Sequence, residues 1–196
     1  MASATPRGIA RREQLVEATA SLVAEHGYHQ VGVDDIGAAA GVSGAAIYRH
    51  FAGKQELLVA VIERAVDALM GRARGIVAGS AVPGAALDGL VAAHVDFALS
   101  ETDAITVYVQ EAHSLEDAAR RRLRRQQRAY TELWIDVLES KAPGAARDDL
   151  ATAVHGVFGL INSVADHRRR ADDTSSAPLL ASMARASLEA AVSSLR

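Results

Sequence analysis

Apolar side chains recur at spacings of three and four residues from Ile9 to Leu195, and the rhythm breaks only at short clusters of Gly, Pro, Ser or charge. Such spacing lines one side of an α-helix, and strand-like alternation is almost absent. Helices are expected over Ile9–His26, Val33–Ala40 and Gly44–His50, followed by a longer one opening at Lys54. Five more are expected at about Ala85–Ser100, Ala104–His113, Glu116–Lys141, Arg147–Arg168 and Pro178–Leu195. In the first, Leu15, Ala18 and Leu22 share a face and Gly27 supplies the stop. In the fourth, Leu58, Val61, Ile62, Ala65 and Leu69 form one stripe until "AGSAVPG" (78–84) ends it. The chain therefore reads as all-α with about nine helices. Its 49% apolar and 4% aromatic content fits that class.

The 196 residues contain no cysteine, which removes disulfides, thiolate metal ligands and cysteine catalysis together, and fits a reducing cytoplasm. Net charge is −3, so affinity for nucleic acid must come from a local surface. "MASATPRGIARR" lacks the apolar core of a signal peptide. The longest charge-free run, "LATAVHGVFGLINSVA" (150–165), is shorter than the ~18–20 apolar residues a membrane span needs. A soluble, cytoplasmic protein without a membrane segment is expected. "KAPGA" (141–145) and "DHRRRADDTSSA" (166–177) read as loops, the second as the best candidate for a mobile segment.

The stretch "AGVSGAAIYRHFAGKQELL" (40–58) adds a tight turn between two short helices. Gly41 can take positive φ, and Ser43 suits the cap of the following helix. Two short helices around such a turn describe a helix-turn-helix, whose second member lies in the major groove of DNA. Ile36, Val42, Ile47 and Phe51 can close a core against Leu15, Leu22 and Tyr28. Left outside are Ser43, Gly44, Ala45, Ala46, Tyr48, Arg49, His50 and Lys54. Small side chains let the backbone approach base edges, and an alanine methyl can touch a thymine methyl. Tyr48, His50 and Lys54 can donate to phosphate, the helix N-terminus at Ser43 favours anionic oxygen, and Arg49 has base-reading reach. Arg7, Arg11 and Arg12 fit either a basic arm or a solubilising terminus. Residues 1–54 carry five Lys or Arg against five Asp or Glu, so binding should be moderate and salt-sensitive.

"DDIGAAAGVSGAAIYRHFAGKQELL" resembles the DNA-binding segment of TetR-family transcriptional regulators, through Gly41, Val42, Ser43, Ile47, Tyr48, His50, Phe51, Lys54 and Leu57. The preceding "EHGY" (25–28) agrees, and the resemblance by motif covers about the first 60 residues. Gly32 departs from it, standing where the family usually has a Thr or Ser cap that touches phosphate, and Ala45 stands where Gly is frequent. The resemblance implies a DNA-binding domain over 1–54 and a ligand-binding and dimerisation domain over 55–196, with a cavity among the middle helices and a dimer built from the last two. It also implies a homodimeric regulator, most simply a repressor, on a palindromic operator.

On Arg147–Arg168, Thr152, Gly156, Gly159 and Ser163 form a stripe of small residues beside Phe158. The last helix adds Leu180, Met183 and Ser187, together with Ala184, Ala191 and Leu195, so two such pairs can build a four-helix interface. Polar groups on apolar stripes mark effector-site candidates: His94, Tyr108, Glu111, Arg128, Tyr130 and Trp134. His94, His113, His155 and His167 show no metal-ligand spacing, so no metal or other cofactor is expected. "RRRLRRQQR" (120–128) reads as a solvated face or an anion site. The segment 107–138 is similar to TetR-family repressors that sense acyl-CoA thioesters in lipid or steroid catabolism, a similarity that stops before Gly156, Gly159, Asn162 and Asp166. Another apolar effector fits as well. Two other classes remain open: a ligand-binding helical dimer that has lost DNA binding, and a helical enzyme using His94, Glu111 or His113 as acid or base.

Overall fold

The computed structural model describes residues 5–168 and 176–195. Among the described residues every regular element is helical. The order is α1 Pro6–His26, α2 Val33–Ala39, α3 Gly44–Ile47, α4 Lys54–Gly79, α5 Pro83–Ser100, α6 Thr102–Glu111, a 3-10 turn Ala112–Ser114, α7 Asp117–Glu139, α8 Arg147–Arg168 and α9 Ala177–Ser194. No helix of the described residues is long and apolar enough to cross a membrane. Most of the loop expected to be mobile, 169–175, lies outside the described residues.

Local chemistry explains the boundaries that differ from the apolar rhythm. α1 begins three residues before Ile9 because Pro6 sits in the first turn, where its missing N–H costs nothing, and the Thr5 hydroxyl accepts from the Gly8 N–H at 3.3 Å. It ends at Gly27, whose φ of 81° leaves the helical region. α3 is four residues long instead of seven, because Arg49 and His50 close back on Ala46 and Ile47 through three-residue bonds of 3.3 and 2.8 Å. α6 likewise stops at Glu111 and tightens into the 3-10 turn.

The chain packs as two units. The first runs to Ala65 and takes in Asp103–Arg122, so the boundary expected at 54/55 falls inside it. Its core contains Leu15, Ile36, Ile47, Phe51, Leu57 and Leu58, all buried. Each such side chain contributes roughly 1.5–3 kcal/mol through burial. The second unit comprises Val66–Thr102 and the chain from Leu123 onward, with α5, α8 and α9 packed on one another. Leu87, Leu90, Trp134, Leu138, Leu150 and Leu188 fill its core. Gly89 lies so close to the second half of α4 that a Cβ would fall 2.7 Å from the Ile76 side chain. On its surface Arg147 joins Glu132, Asp136 and Glu139, an exposed cluster of modest worth individually.

Candidate nucleic-acid interface and regulatory site

Within the first unit α2 and α3 meet with almost no space between them. A Cβ on Gly37 would lie 2.9 Å from both the Gly44 nitrogen and the Val42 oxygen, and one on Gly44 would collide with the Asp34 carboxylate. Gly44 is therefore buried and turned toward α2, away from the surface expected of it. The turn between the helices is made by Gly41 at φ 68°, with the Val42 N–H donating to the Gly37 oxygen at 2.8 Å.

Outside this contact Ser43, Ala45, Tyr48 and Arg49 are exposed, with Ala46 and His50 half-buried beside them. Tyr48 is 60% exposed, a large aromatic side chain left in water at the edge of α3. Ser43 occupies the cap position, but its exposed hydroxyl makes no cap bond. With a single turn, α3 aligns too few peptides to attract an anion at its N-terminus as the sequence suggested. Arg11, Leu15, Val42, Ala46, Arg49 and His50 line a shallow notch between α1 and this edge.

Three cations of the head are engaged internally. Arg11 donates to the Ala40 oxygen at 3.0 Å, and Arg12 donates to the His50 oxygen at 3.1 Å while lying 4.0 Å over the Phe51 ring. The two arginines thus brace α1 against the turns flanking α3. Lys54 donates to the Tyr28 and Val31 oxygens at 2.8 and 2.9 Å, with its ammonium 4.3 Å from the Tyr28 ring centre. Two of its three donors are thereby taken by the α1–α2 corner, which leaves one for the phosphate contact expected of it. Gly32 caps α2 without a side chain, and Asp35 compensates by accepting from the Gly32 N–H at 2.7 Å.

In the second unit four rings form a box: His94 on α5, Tyr130 and Trp134 on α7 and Phe158 on α8. Phe158 lies 4.8 Å from His94 and 5.2 Å from both Tyr130 and Trp134, stacked on the former and edge-on to the latter. His94 is buried, with Nδ1 3.2 Å from the Tyr130 hydroxyl and Nε2 3.1 Å from Asn162 Oδ1. Burial lowers the His94 pKa to about 4 against the opposing hydrogen bond to Asn162, and burial raises that of Tyr130. The other effector candidates lie elsewhere. Tyr108 is half-buried in the first unit, Glu111 is buried there at the α1–α2 corner, and Arg128 is exposed on α7. Arg120 and Arg122 pair with Asp117 and Glu63, while Arg124 and Arg125 are exposed like Arg128.

On α8 Thr152, Gly156, Gly159 and Ser163 are exposed, while Phe158 turns inward to the box. On α9 Met183 and Ser187 are exposed with Leu179, at 65% the most open large apolar residue of the helix. Leu180 is buried with Ala184 and Leu188 inside its own subunit and does not share that outer face. The outward hydroxyls bond along their own helices, Thr152 to Asp148, Ser163 to Leu160 and Ser187 to Met183. Sequence reasoning missed Gly37 and Asp34, whose role is fixed only by the approach of α3, and Asn162, which becomes a partner only once α8 meets α5.

The model for bacterial regulatory proteins, tetR family, matches residues 15–61, and that for the tetracyclin repressor-like C-terminal domain matches residues 80–166. The chain is 30% identical over 142 residues to the HTH-type transcriptional repressor KstR2 of Rhodococcus jostii (strain RHA1), spanning 71% of this chain and 70% of that protein. The structure of the ketosteroid transcriptional regulator KstR2 of Mycobacterium tuberculosis superposes with a TM-score of 0.80 at 22% identity, covering 92% of this chain and 94% of that one. The transcriptional regulator FadR from Bacillus subtilis, in complex with stearoyl-CoA, gives 0.73 at 19% identity, with 94% and 99% covered.

Proposed function

The chain belongs to the TetR family of bacterial regulatory proteins, and from that premise we propose that it is a ligand-responsive repressor acting as a homodimer on a palindromic operator. The observation that carries this reading is the exposed edge Ser43, Ala45, Tyr48 and Arg49, held on a head where α2 and α3 meet without clearance at Gly37 and Gly44. Small residues on that edge admit the backbone to the major groove, Tyr48 donates to phosphate, and Arg49 reaches base edges. Two heads on one duplex meet successive major-groove faces ~34–36 Å apart or a related spacing. The whole cycle belongs in the cytoplasm, with the DNA.

The effector of this reading is an apolar molecule or an acyl-CoA thioester. The box supports it with aromatic walls around one polar string, Tyr130–His94–Asn162, which can exchange its internal hydrogen bonds for those of a ligand carbonyl or hydroxyl. KstR2, a ketosteroid regulator, and FadR, held with stearoyl-CoA, supply the precedent for lipid-derived effectors. Arg124, Arg125 and Arg128 offer guanidinium partners to the phosphates of a CoA group. A coupling of ~1–3 kcal/mol between effector and operator is the usual allosteric scale and is sufficient to release DNA.

A mobility shift with DNA from beside the protein's own coding region tests the reading. Tyr48→Phe should weaken binding to every sequence alike, whereas Arg49→Ala should change the ranking of operator variants. Equal losses in both variants across all sequences would refute this division between phosphate and base contacts.

A further inference from the structure

Building on the regulator reading, we propose that Glu111 is a positioning residue for DNA recognition: its carboxylate latches the α1–α2 corner to the end of α6, so that α6 and the DNA-reading helices behave as one piece.

A carboxylate only 9% exposed is uncommon unless its oxygens are occupied, and both are occupied here. Oε1 accepts from the Tyr28 backbone N–H at 3.0 Å, and Oε2 accepts from the Ser114 hydroxyl at 3.0 Å. The same corner is held from the other side by α4. Lys54 donates to the Tyr28 carbonyl, the Tyr28 hydroxyl donates to Gln55 Oε1 at 2.7 Å, and Gln55 Nε2 donates to the Ser114 carbonyl at 3.2 Å. Tyr28, Gln55, Ser114 and Glu111 thus close a ring of hydrogen bonds drawn from three elements far apart in sequence. Gly27 turns the chain at this corner with a φ of 81°, a conformation that favours glycine. These contacts engage both Glu111 oxygens within the head, where the sequence suggested an effector contact.

The corner leads directly to the reading edge. Lys54 also holds the Val31 carbonyl, Gly32 caps α2, and α2 carries Asp34 and Gly37, which meet Gly44 without clearance. A shift of the α6 end therefore reaches α3 through backbone held at fixed points by the Glu111 and Lys54 side chains.

The full-length chain is assayed on its operator and on operators with one base pair added to or removed from the half-site separation. For wild type, affinity should depend sharply on separation. Glu111→Gln removes the charge and one acceptor while keeping the volume. It should compress that dependence at least threefold and speed amide exchange at Tyr28 at least tenfold, with exchange inside α1 unchanged. A uniform loss at every separation overturns the proposal, because that is what a merely destabilised head produces; so does wild-type exchange at Tyr28. If Glu111→Gln fails to fold, Ser114→Ala, which removes a single bond of the ring, is read by the same two criteria. Absence of binding by wild type to the entire series would instead overturn the regulator reading itself, and that measurement comes first.

Discussion

His94 carries two hydrogen bonds and no charge. Asn162 Oδ1 can only accept, so Nε2 carries the proton and donates to it, which leaves Nδ1 to accept from the Tyr130 hydroxyl. Burial lowers the His94 pKa from 6.5 to about 4, so the folded state resists a proton that the unfolded chain accepts. Above pH 6.5 the ring is neutral in both states and stability is flat with respect to this group. Between 6.5 and 4 only the unfolded chain binds the proton, and stability falls as pH falls, by roughly 3 kcal/mol across the window at 1.36 kcal/mol per unit. Denaturant titrations of wild type and His94→Gln at pH 7 and pH 4.5 check this. The gap between the two proteins should shift toward the variant by about 2 kcal/mol at the lower pH, and a gap independent of pH would contradict it.

At the level of elements, the tightest constraint is the contact of α2 with α3. Gly37→Ala places a methyl 2.9 Å from two backbone atoms, which cannot rotate away as a side chain would, so the helices must separate. A loss of about 1–3 kcal/mol in stability is expected, together with weaker operator binding; thermal melting and a mobility shift read the two effects. Wild-type values in both would show that the helices can slide. Gly41 and the helix-turn-helix were legible in the sequence because turn chemistry is local: a φ of 68° calls for glycine whatever the surroundings. The nine α-helices of the described residues were legible through apolar spacing. The short span of α3 was not, since Tyr48–His50 have ordinary helix propensity and are turned by tertiary packing of Phe51. Lys54 illustrates the limit for the site. Its residue type suits phosphate, and only the folded α1–α2 corner offers the two carbonyls that occupy it. Glu111 and Asn162 were out of reach likewise, because their partners lie 83 and 68 residues away.

At the scale of the whole molecule, one head offers few contacts to a duplex, and palindromic recognition requires a second copy related by two-fold symmetry. The proposed face is the stripe Thr152, Gly156, Gly159 and Ser163 of α8 beside Leu179, Met183 and Ser187 of α9, all open to solvent in a single chain. Gly159 separates interface from core cleanly. A Cβ there meets nothing within 4 Å in its own chain, so Gly159→Leu costs the protomer no steric clash and adds helix propensity. In the proposed dimer the same side chain would have to fit against a partner helix packed on the small-residue stripe. Overpacking of this kind costs typically ~1–3 kcal/mol per site, counted twice in a symmetric dimer. The expected outcome is a variant that melts like wild type when dilute yet sediments as a monomer at concentrations where wild type is dimeric, with operator affinity falling in step. An intact dimer by sedimentation or light scattering would place the two-fold contact on another face. A monomer that also melts much lower would show that Gly159 serves the interior of its own subunit.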